Sequence, residues 1–434
     1  MTRLGSILLW SAIAAAFIGP GTVTAAASAG AGPGMAVLWA IVFSGVATFT
    51  LQEFAGRLAI ATGGDLAAVL RRRYSHGAAR LLVLVLVAGA VLLGCAAYEA
   101  GNILGGVAGA MLAIDLPRGV LTLALAIAAV ALLLLGSPQR IAQAMAIFVA
   151  LMGAGFLLVA ASLAPTVSSV ASGIVPDVSL LGEDVALLTI LALVGTTVVP
   201  YNLFLGSALA RGQTVGQMRL GLAIAVGLGA LITAAILVVG TALDGEFSFE
   251  ALADTLAGQL GEWARTGLAL GLLAAGLSSA VTAPLAAALT ARGLFGNIDD
   301  PRWAAQGWRF RSVWAAVILI GAGFGLADVR PGPAILAAQA FNGALLPLVA
   351  LFLLAAMNDP GLQRGAANGP LANAVGLFVV GIACMLGLVA LARVFASLSG
   401  AELPDPAILL LVTGTIGLLL GFGAIALRPT RTAT

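Results

Sequence analysis

The chain has 434 residues, of which 61% are hydrophobic and only 9% are charged, with a formal net charge of +2. Soluble domains carry roughly 25% charged residues, so the composition excludes a large soluble enzyme and predicts an all-α polytopic membrane protein. The net charge says little about partners, and we expect no nucleic-acid partner. Two cysteines and one histidine imply neither a disulfide framework nor a metal site built on these residue types.

Segments long enough to cross a bilayer recur along the whole chain. We count about 12 of them, taking about 20 apolar residues as the length needed. They are predicted near 6–31, 35–62, 80–113, 118–136, 140–164, 185–211, 217–243, 263–292, 311–328, 332–357, 371–396 and 405–427. We expect a single transmembrane domain over residues 1–434, with the lipid bilayer as its surroundings and no obligate protein partner or cofactor.

Arginine placement predicts the orientation of these segments. With the N-terminus inside, most arginines fall in inner loops, including Arg71–Arg73, Arg211 and Arg302, whereas the outer segment 244–262 is acidic. Cytoplasmic loops carry the excess of basic residues in membrane proteins. We therefore expect both termini in the cytoplasm and a bacterial-type inner (plasma) membrane location.

Two prolines interrupt apolar segments in corresponding places. The first break is Gly19-Pro20-Gly21-Thr22, and the second is Val199-Pro200-Tyr201-Asn202. A proline removes an internal helix hydrogen bond, and in hydrocarbon the freed groups are tolerated only where they line a cavity or are buried in protein. Paired broken helices at matched positions are typical of the substrate site of a secondary transporter.

The two breaks also indicate an internal repeat. Their offset is about 180 residues, which places Pro20 on Pro200, and five helices per half would give the halves opposite topology. We expect helices 1–5 (about 6–164) and 6–10 (about 185–357) to form inverted halves, and helices 11–12 (about 371–427) to be additions.

Uncharged residues around the breaks are the candidate substrate ligands, and polar residues on helices 8 and 10 extend them. Each of them alone is also compatible with hydrogen bonding between helices. The candidates at the substrate site are Gly19, Gly21, Thr22, Thr196, Thr197, Val199, Tyr201, Asn202, Gln339 and Asn342, with Ser278 and Ser279 as a secondary polar midplane.

Three charged residues lie well inside predicted spans: Glu53, Arg57 and Glu99. Intramembrane charges are costly and usually face a bundle interior or a water-filled path. Glu53 and Arg57 stand four residues apart and are positioned for a helical ion pair, which is either structural or part of proton release and gating. Glu99 has no partner on its own helix, so it is a candidate proton or gating residue, or a polar contact between helices.

The residues around the breaks resemble the Nramp family of proton-coupled divalent-metal transporters. Residues 193–209 are similar to that family's helix 6, whose core reads A-T-V-M-P-H-N-L-Y-L-H-S, and 19–22 fall on its D-P-G-N run. Further similarity covers 57–66, 274–282 and Gln339. The resemblance spans most of the first 11 helices and implies a LeuT-type fold, with helices 1 and 6 unwound, and alternating access.

The metal ligands of that family do not carry over. Gly19 stands where the family has an aspartate, Thr22 where it has an asparagine, Val199 where it has a methionine and Tyr201 where it has a histidine. On helix 3 the family's paired acids are replaced by Ala96 and Glu99, so that only the glutamate persists. No metal ligand is therefore assigned with the substrate candidates, and no residue is assigned as catalytic.

The resemblance implies a secondary transporter of a divalent cation, with protons as the candidate coupling ion. The changed ligand positions keep two alternatives open. One is a transporter of a neutral or zwitterionic small solute, with protons or sodium as the coupling ion. The other is a sensor that has the same fold but transports nothing.

Overall fold

A computed structural model describes most of the chain. It covers residues 18–74, 77, 80, 81, 84, 88–135, 138–296, 300–327, 329–363, 367–399 and 402–426, without the side chains of 138–146, 178 and 363. The α-helices are α1 Pro20–Ala31, α2 Leu38–Thr62, α3 Leu66–Arg73, α4 Gly89–Met111, α5 Arg118–Leu134, α6 Pro138–Leu163, α7 Val167–Ile174, α8 Asp184–Thr197, α9 Pro200–Ala210, α10 Val215–Gly240, α11 Phe249–Leu260, α12 Trp263–Phe295, α13 Trp308–Leu326, α14 Pro331–Asn358, α15 Pro360–Gln363, α16 Pro370–Ser399 and α17 Pro406–Ala426.

The helices of the described residues confirm an all-α polytopic membrane protein. Nine spans among the described residues are long and apolar enough to cross a membrane, one of them made of α8 and α9 together; the count is 10 when the pair α6 and α7, bent by 117°, is taken as one span. Two predicted spans remain. The first, 6–31, is described only from residue 18, and the fourth is α5, an apolar helix of 17 residues.

A helix begins at each of the two prolines, as the sequence predicts. Gly19 is extended (φ −93°, ψ 177°) and α1 begins at Pro20. Helix α8 ends at Thr197, Val199 is extended (φ −85°, ψ 121°), and α9 begins at Pro200. A proline is favoured in the first turn of a helix because it has no N–H to leave unpaired there, so each proline starts a helix and cannot continue the preceding one.

Short polar motifs fix the helix ends outside the breaks. The Asp65 carboxylate accepts a hydrogen bond from the Ala68 N–H at the start of α3. At the start of α10, Thr214 and Gln217 form a reciprocal capping box. Such caps satisfy N–H groups that have no partner inside the helix.

Glycines let several helices approach closely, as is common where helices pack in a bilayer. A Cβ added to Gly276 of α12 would lie 2.6 Å from the Cα of Gly106 on α4. A Cβ added to Gly240 at the end of α10 would lie 3.0 Å from the Cα of Gly30 on α1. These contacts hold α12 against α4, and the C-terminal end of α1 against α10.

Candidate functional site

The first break lies against helices α8, α12 and α14. The Thr22 and Thr196 hydroxyls are 3.0 Å apart and either one can donate the hydrogen bond, which joins α1 to the end of α8. A Cβ added to Gly19 would lie 3.5 Å from the Ser279 hydroxyl oxygen on α12. Residues from helices far apart in sequence therefore meet at the predicted substrate site.

Tyr98 of α4 occupies the broken end of α8. Its hydroxyl lies 3.0 Å from the Gly195 carbonyl oxygen and 2.8 Å from that of Thr196, positioned to donate to either. Its ring packs edge-on against the Tyr201 ring of α9, with centroids 5.4 Å apart. The tyrosine therefore satisfies backbone oxygens that the end of α8 would otherwise present to a substrate.

Gln339 and Asn342 of α14 face helices α1 and α4. The Gln339 amide lies beside Gly21, where an added Cβ would clash with it, and a Cβ added to Gly101 would be 3.3 Å from its Nε2. The Asn342 Oδ1 atom would be 2.7 Å from a Cβ on Gly94, and its amide nitrogen donates to the Ala338 carbonyl. Small residues on α1 and α4 thus make room for both side chains.

Several polar atoms of this region are buried without a hydrogen-bond partner among the described residues. Buried polar side chains in native proteins are nearly always paired, so such exceptions indicate an unseen ligand, ion or water. The atoms are both amide atoms of Asn202 and of Gln339, Asn342 Oδ1, Ser279 Oγ and Glu99 Oε1. All but the last are neutral donors or acceptors.

Three of the predicted substrate and midplane residues offer no free polar side-chain group to a substrate: Thr197, Ser278 and Val199. The Thr197 hydroxyl donates to the Leu193 carbonyl of its own helix, and the Ser278 hydroxyl to the Ala275 carbonyl of its own helix. The Thr197 carbonyl accepts from the Thr48 hydroxyl on α2 at 3.2 Å. Val199 is buried and offers only its apolar side chain at the second break.

Glu99 follows Tyr98 on α4 and is completely buried. Its Oε2 atom accepts a hydrogen bond of 3.3 Å from the Asn102 amide nitrogen, and its Cγ would be 2.6 Å from a Cβ on Gly321 of α13. The acid is therefore held between α4 and α13 with one oxygen satisfied. It is the carboxylate nearest along the chain to the tyrosine that caps α8.

Glu53 and Arg57 form the ion pair that their spacing predicts, and a third charge joins them. The Arg57 Nε lies 3.0 Å from Glu53 Oε1, and the Arg219 Nη2 of α10 lies 2.7 Å from the same oxygen. Arg57 also donates to the Ala367 carbonyl and to Asn368 Oδ1. The cluster connects α2, α10 and the residues before α16.

Tyr98 and Arg219 are the residues of these networks that sequence reasoning missed. A buried tyrosine usually finds a partner for its hydroxyl, so the position of Tyr98 beside Glu99 was an available signal. Arg219 lies 166 residues from Glu53, and nothing in the sequence joins them. In the part of the chain that is described, no three His, Cys, Asp or Glu residues are grouped to hold a metal ion.

The long apolar helices, the paired breaks and the buried polar residues between them define a secondary transporter with a LeuT-type fold. Residues 11–393 match the family model described as natural resistance-associated macrophage protein-like, or Nramp. The chain belongs to the Nramp family, which confirms the resemblance of its helices 1 and 6.

Curated relatives and solved structures agree with this assignment. The divalent metal cation transporter MntH of Ralstonia nicotianae is 30% identical over 395 residues, covering 84% of this chain and 85% of that protein. MntH 1 of Pseudomonas aeruginosa is 28% identical over 385 residues, covering 82% of this chain and 84% of that protein. The crystal structure of the Eremococcus coleocola manganese transporter matches the fold with a TM-score of 0.74 at 21% identity, covering 98% of this chain and 94% of that one. The chain is a multi-pass membrane transporter, not an enzyme.

Proposed function

We propose that the chain transports a divalent cation by alternating access, through a site between the helix breaks where neutral oxygens replace the family's charged ligands. Relatives named as divalent metal cation transporters support the substrate class. The observation that carries the proposal is a set of buried oxygens that have no hydrogen-bond partner within the described part of the chain, on Asn202, Ser279, Gln339 and Asn342. We assign the other substrate candidates to the wall of the same site.

The donor set favours a hard cation that keeps part of its water shell. Carbonyl, hydroxyl and water oxygens suit Mg²⁺, Ca²⁺ and Mn²⁺, whereas soft sulfur ligands select other metals. Mg²⁺ in particular gives up its water reluctantly. The partial negative charge at the C-terminal end of α8 is already shared with the Tyr98 hydroxyl, and Glu99 adds a carboxylate on the same helix as Tyr98. Together these groups offset part of the charge of the cation.

We assign the coupling proton to Glu99 and a gating role to Glu53 and Arg57. Glu99 keeps one buried oxygen without a partner among the described residues, so it has an open position for a proton. Glu53 is instead held between two guanidinium groups, which favours a structural tie over proton transfer. The contact of Glu53 with Arg219 would open when α2 and α10 separate.

The topology belongs to the same proposal. We place both termini in the cytoplasm and the protein in the bacterial plasma membrane, as one transmembrane domain with inverted halves of five helices. The bacterial origin of the named relatives supports the membrane, and the arginine distribution supports the orientation.

A neutral or zwitterionic solute is the second candidate substrate. The observation that favours it is that the amide nitrogens of Asn202 and Gln339 also lie buried without a partner among the residues described. Amide nitrogens donate hydrogen bonds and do not bind cations. They suit the carboxylate of an amino acid. No observation favours the third alternative, a sensor.

Uptake into proteoliposomes separates these candidates. We expect Mg²⁺ uptake that increases with an inward proton gradient, with Mn²⁺ taken up only at much higher concentration than micromolar. Uptake of micromolar Mn²⁺ would show that the site still binds transition metals, and would contradict the proposed change of ligands. Amino-acid uptake without cation uptake would replace the first candidate by the second.

Glu99→Gln tests the proton role in the same assay. Removing the titratable group should abolish stimulation by the proton gradient while uptake driven by the substrate gradient continues, because the amide keeps the shape of the side chain. Glu402→Gln, in an exposed loop, is the matched control and should behave like the parent protein. Unchanged gradient stimulation in Glu99→Gln would refute the role of Glu99.

A further inference from the structure

A large cavity of the described structure lies away from the helix breaks. It is a groove of about 970 Å³ between α2, α10 and the beginning of α16. Its lining is apolar along most of its length, with Val46, Phe49, Val226 and Val375 among its residues. The charged cluster of Glu53, Arg57 and Arg219 lines one end of the groove.

The groove has the dimensions of one bilayer leaflet. On α2 its lining extends from Gly45 to Arg57, which at 1.5 Å per residue is about 18 Å along the helix. Half of the hydrocarbon core of a membrane is roughly 15 Å thick. One apolar chain of a lipid therefore fits along the groove, with its polar end beside the charged cluster.

The charged end of the groove is positive. Glu53 contributes one negative charge against the two arginines, so the cluster has a net charge of one positive unit. The Arg219 side chain is 52% exposed, whereas that of Glu53 is only 8% exposed. The guanidinium group, not the carboxylate, is presented to a ligand, and basic pockets between membrane helices favour anionic lipid headgroups.

The sides of the groove face the bilayer. Leu371 at the start of α16 is 78% exposed and Val46 of α2 is 41% exposed. Gly227 of α10 lines the groove, and no atom lies within 4 Å of a Cβ added there. Lipid can therefore enter sideways, without passing through the protein.

From this placement we propose that the groove is a binding site for an anionic phospholipid. One acyl chain lies between α2 and α10, and the phosphate contacts Arg219. With the termini placed as above, the charged end is at the cytoplasmic surface and the lipid belongs to the inner leaflet. The bound lipid contacts α2, α10 and α16, so it steadies the arrangement that the contacts of Glu53 with Arg219 and of Arg57 with Asn368 hold.

Native mass spectrometry of the full-length protein tests the site. The purified protein is delipidated and then given equal amounts of phosphatidylglycerol or phosphatidylcholine with the same acyl chains. One net positive charge near the headgroup predicts retention of phosphatidylglycerol about fivefold over phosphatidylcholine. Equal retention of the two lipids would overturn the proposal.

Two variants locate the bound lipid. Gly227→Leu fills the groove and should remove the retained lipid, whereas Gly216→Leu on the same helix, also with open space at its Cβ, should keep it. Arg219→Gln should lower the retention of phosphatidylglycerol towards that of phosphatidylcholine. Equal retention in Gly227→Leu and Gly216→Leu would overturn the site, as would a lipid-free dimer with a second copy of the chain covering the groove. These masses do not depend on transport, so they are independent of the proposed substrate.

Discussion

The resemblance of residues 19–22 to the D-P-G-N run of the Nramp family predicts that Gly19 stands in place of an aspartate, and its surroundings keep room for that side chain. Its backbone is extended, at φ −93° and ψ 177°, which any residue adopts. The nearest atom to an added Cβ is the Ser279 hydroxyl oxygen at 3.5 Å, an ordinary van der Waals contact. Neither the backbone nor the surrounding space therefore excludes a charged side chain at this position.

Gly19→Asp combined with Thr22→Asn and Val199→Met should restore binding of transition metals. The carboxylate supplies the charge and the thioether supplies the soft ligand, so we expect Mn²⁺ to bind at least about tenfold more tightly, or about 1.4 kcal/mol. Titration calorimetry on the purified protein measures the change. The control carries Gly19→Asn with the same two other substitutions. A triple variant no tighter than this control would show that the family positions are misassigned.

Residue types at the breaks were predictable, but the directions of their side chains were not. Ser278 and Ser279 are adjacent and chemically identical, yet only Ser279 faces the first break. The rotation of α12 decides between them, and this rotation is set by the close packing of Gly276 on Gly106. Such a contact between distant segments leaves no local pattern in the sequence.

At the scale of helices, Tyr98 attaches α4 to the broken end of α8. Its hydroxyl serves the carbonyl oxygens of Gly195 and Thr196, which the α-helical pattern leaves without an intrahelical partner. The ring also packs on Tyr201 beyond the break. One side chain therefore supports both halves of the interrupted helix.

Tyr98→Phe should destabilise the protein and leave its shape unchanged. Losing one buried hydrogen bond costs about 1 kcal/mol, and more when the acceptors remain buried. Tyr74→Phe is the control, because Tyr74 lies outside the spans and packs edge-on against Phe352. We expect a lower apparent melting temperature for Tyr98→Phe only. Equal melting temperatures in the two variants would exclude the proposed support of α8.

The helix breaks themselves follow from local sequence, unlike this cap. Pro20 and Pro200 each begin a helix because the proline ring cannot lie in a helix interior without removing a hydrogen bond. One residue marks each break but does not fix it alone, because Pro284 and Pro347 lie inside α12 and α14 without ending them. The cap needs α4 and α8 to be neighbours, which depends on the packing of the whole bundle.

Across the whole molecule, charges inside the membrane join segments far apart in the chain. Glu53 and Arg219 are separated by 166 residues, and Arg57 and Asn368 by 311 residues. The sequence marked Glu53 and Arg57 as costly intramembrane charges but showed only the partner four residues away. The fold class was predictable because hydropathy acts locally, whereas the third member of the cluster depended on topology.

Cysteine labelling in whole cells should verify the orientation. Glu246→Cys, in an exposed loop predicted outside, should react with a membrane-impermeant maleimide in intact cells. Arg302→Cys, exposed in a loop predicted inside, should react only after permeabilisation. The native Cys95 and Cys384 are buried, so background labelling should be low. The reverse pattern would place the termini outside.

The glycine contact between Gly30 of α1 and Gly240 of α10 has a mechanical consequence. It fixes α1 at its C-terminal end, because neither backbone can move closer to the other. A tilt of α1 about this contact would move its other end, at the first break, and would break the hydrogen bond between Thr22 and Thr196. Gly19 and Gly30 are about 16 Å apart along the axis, so a tilt of about 10° displaces the break by about 3 Å. A small rotation at one surface is thus amplified at the substrate site.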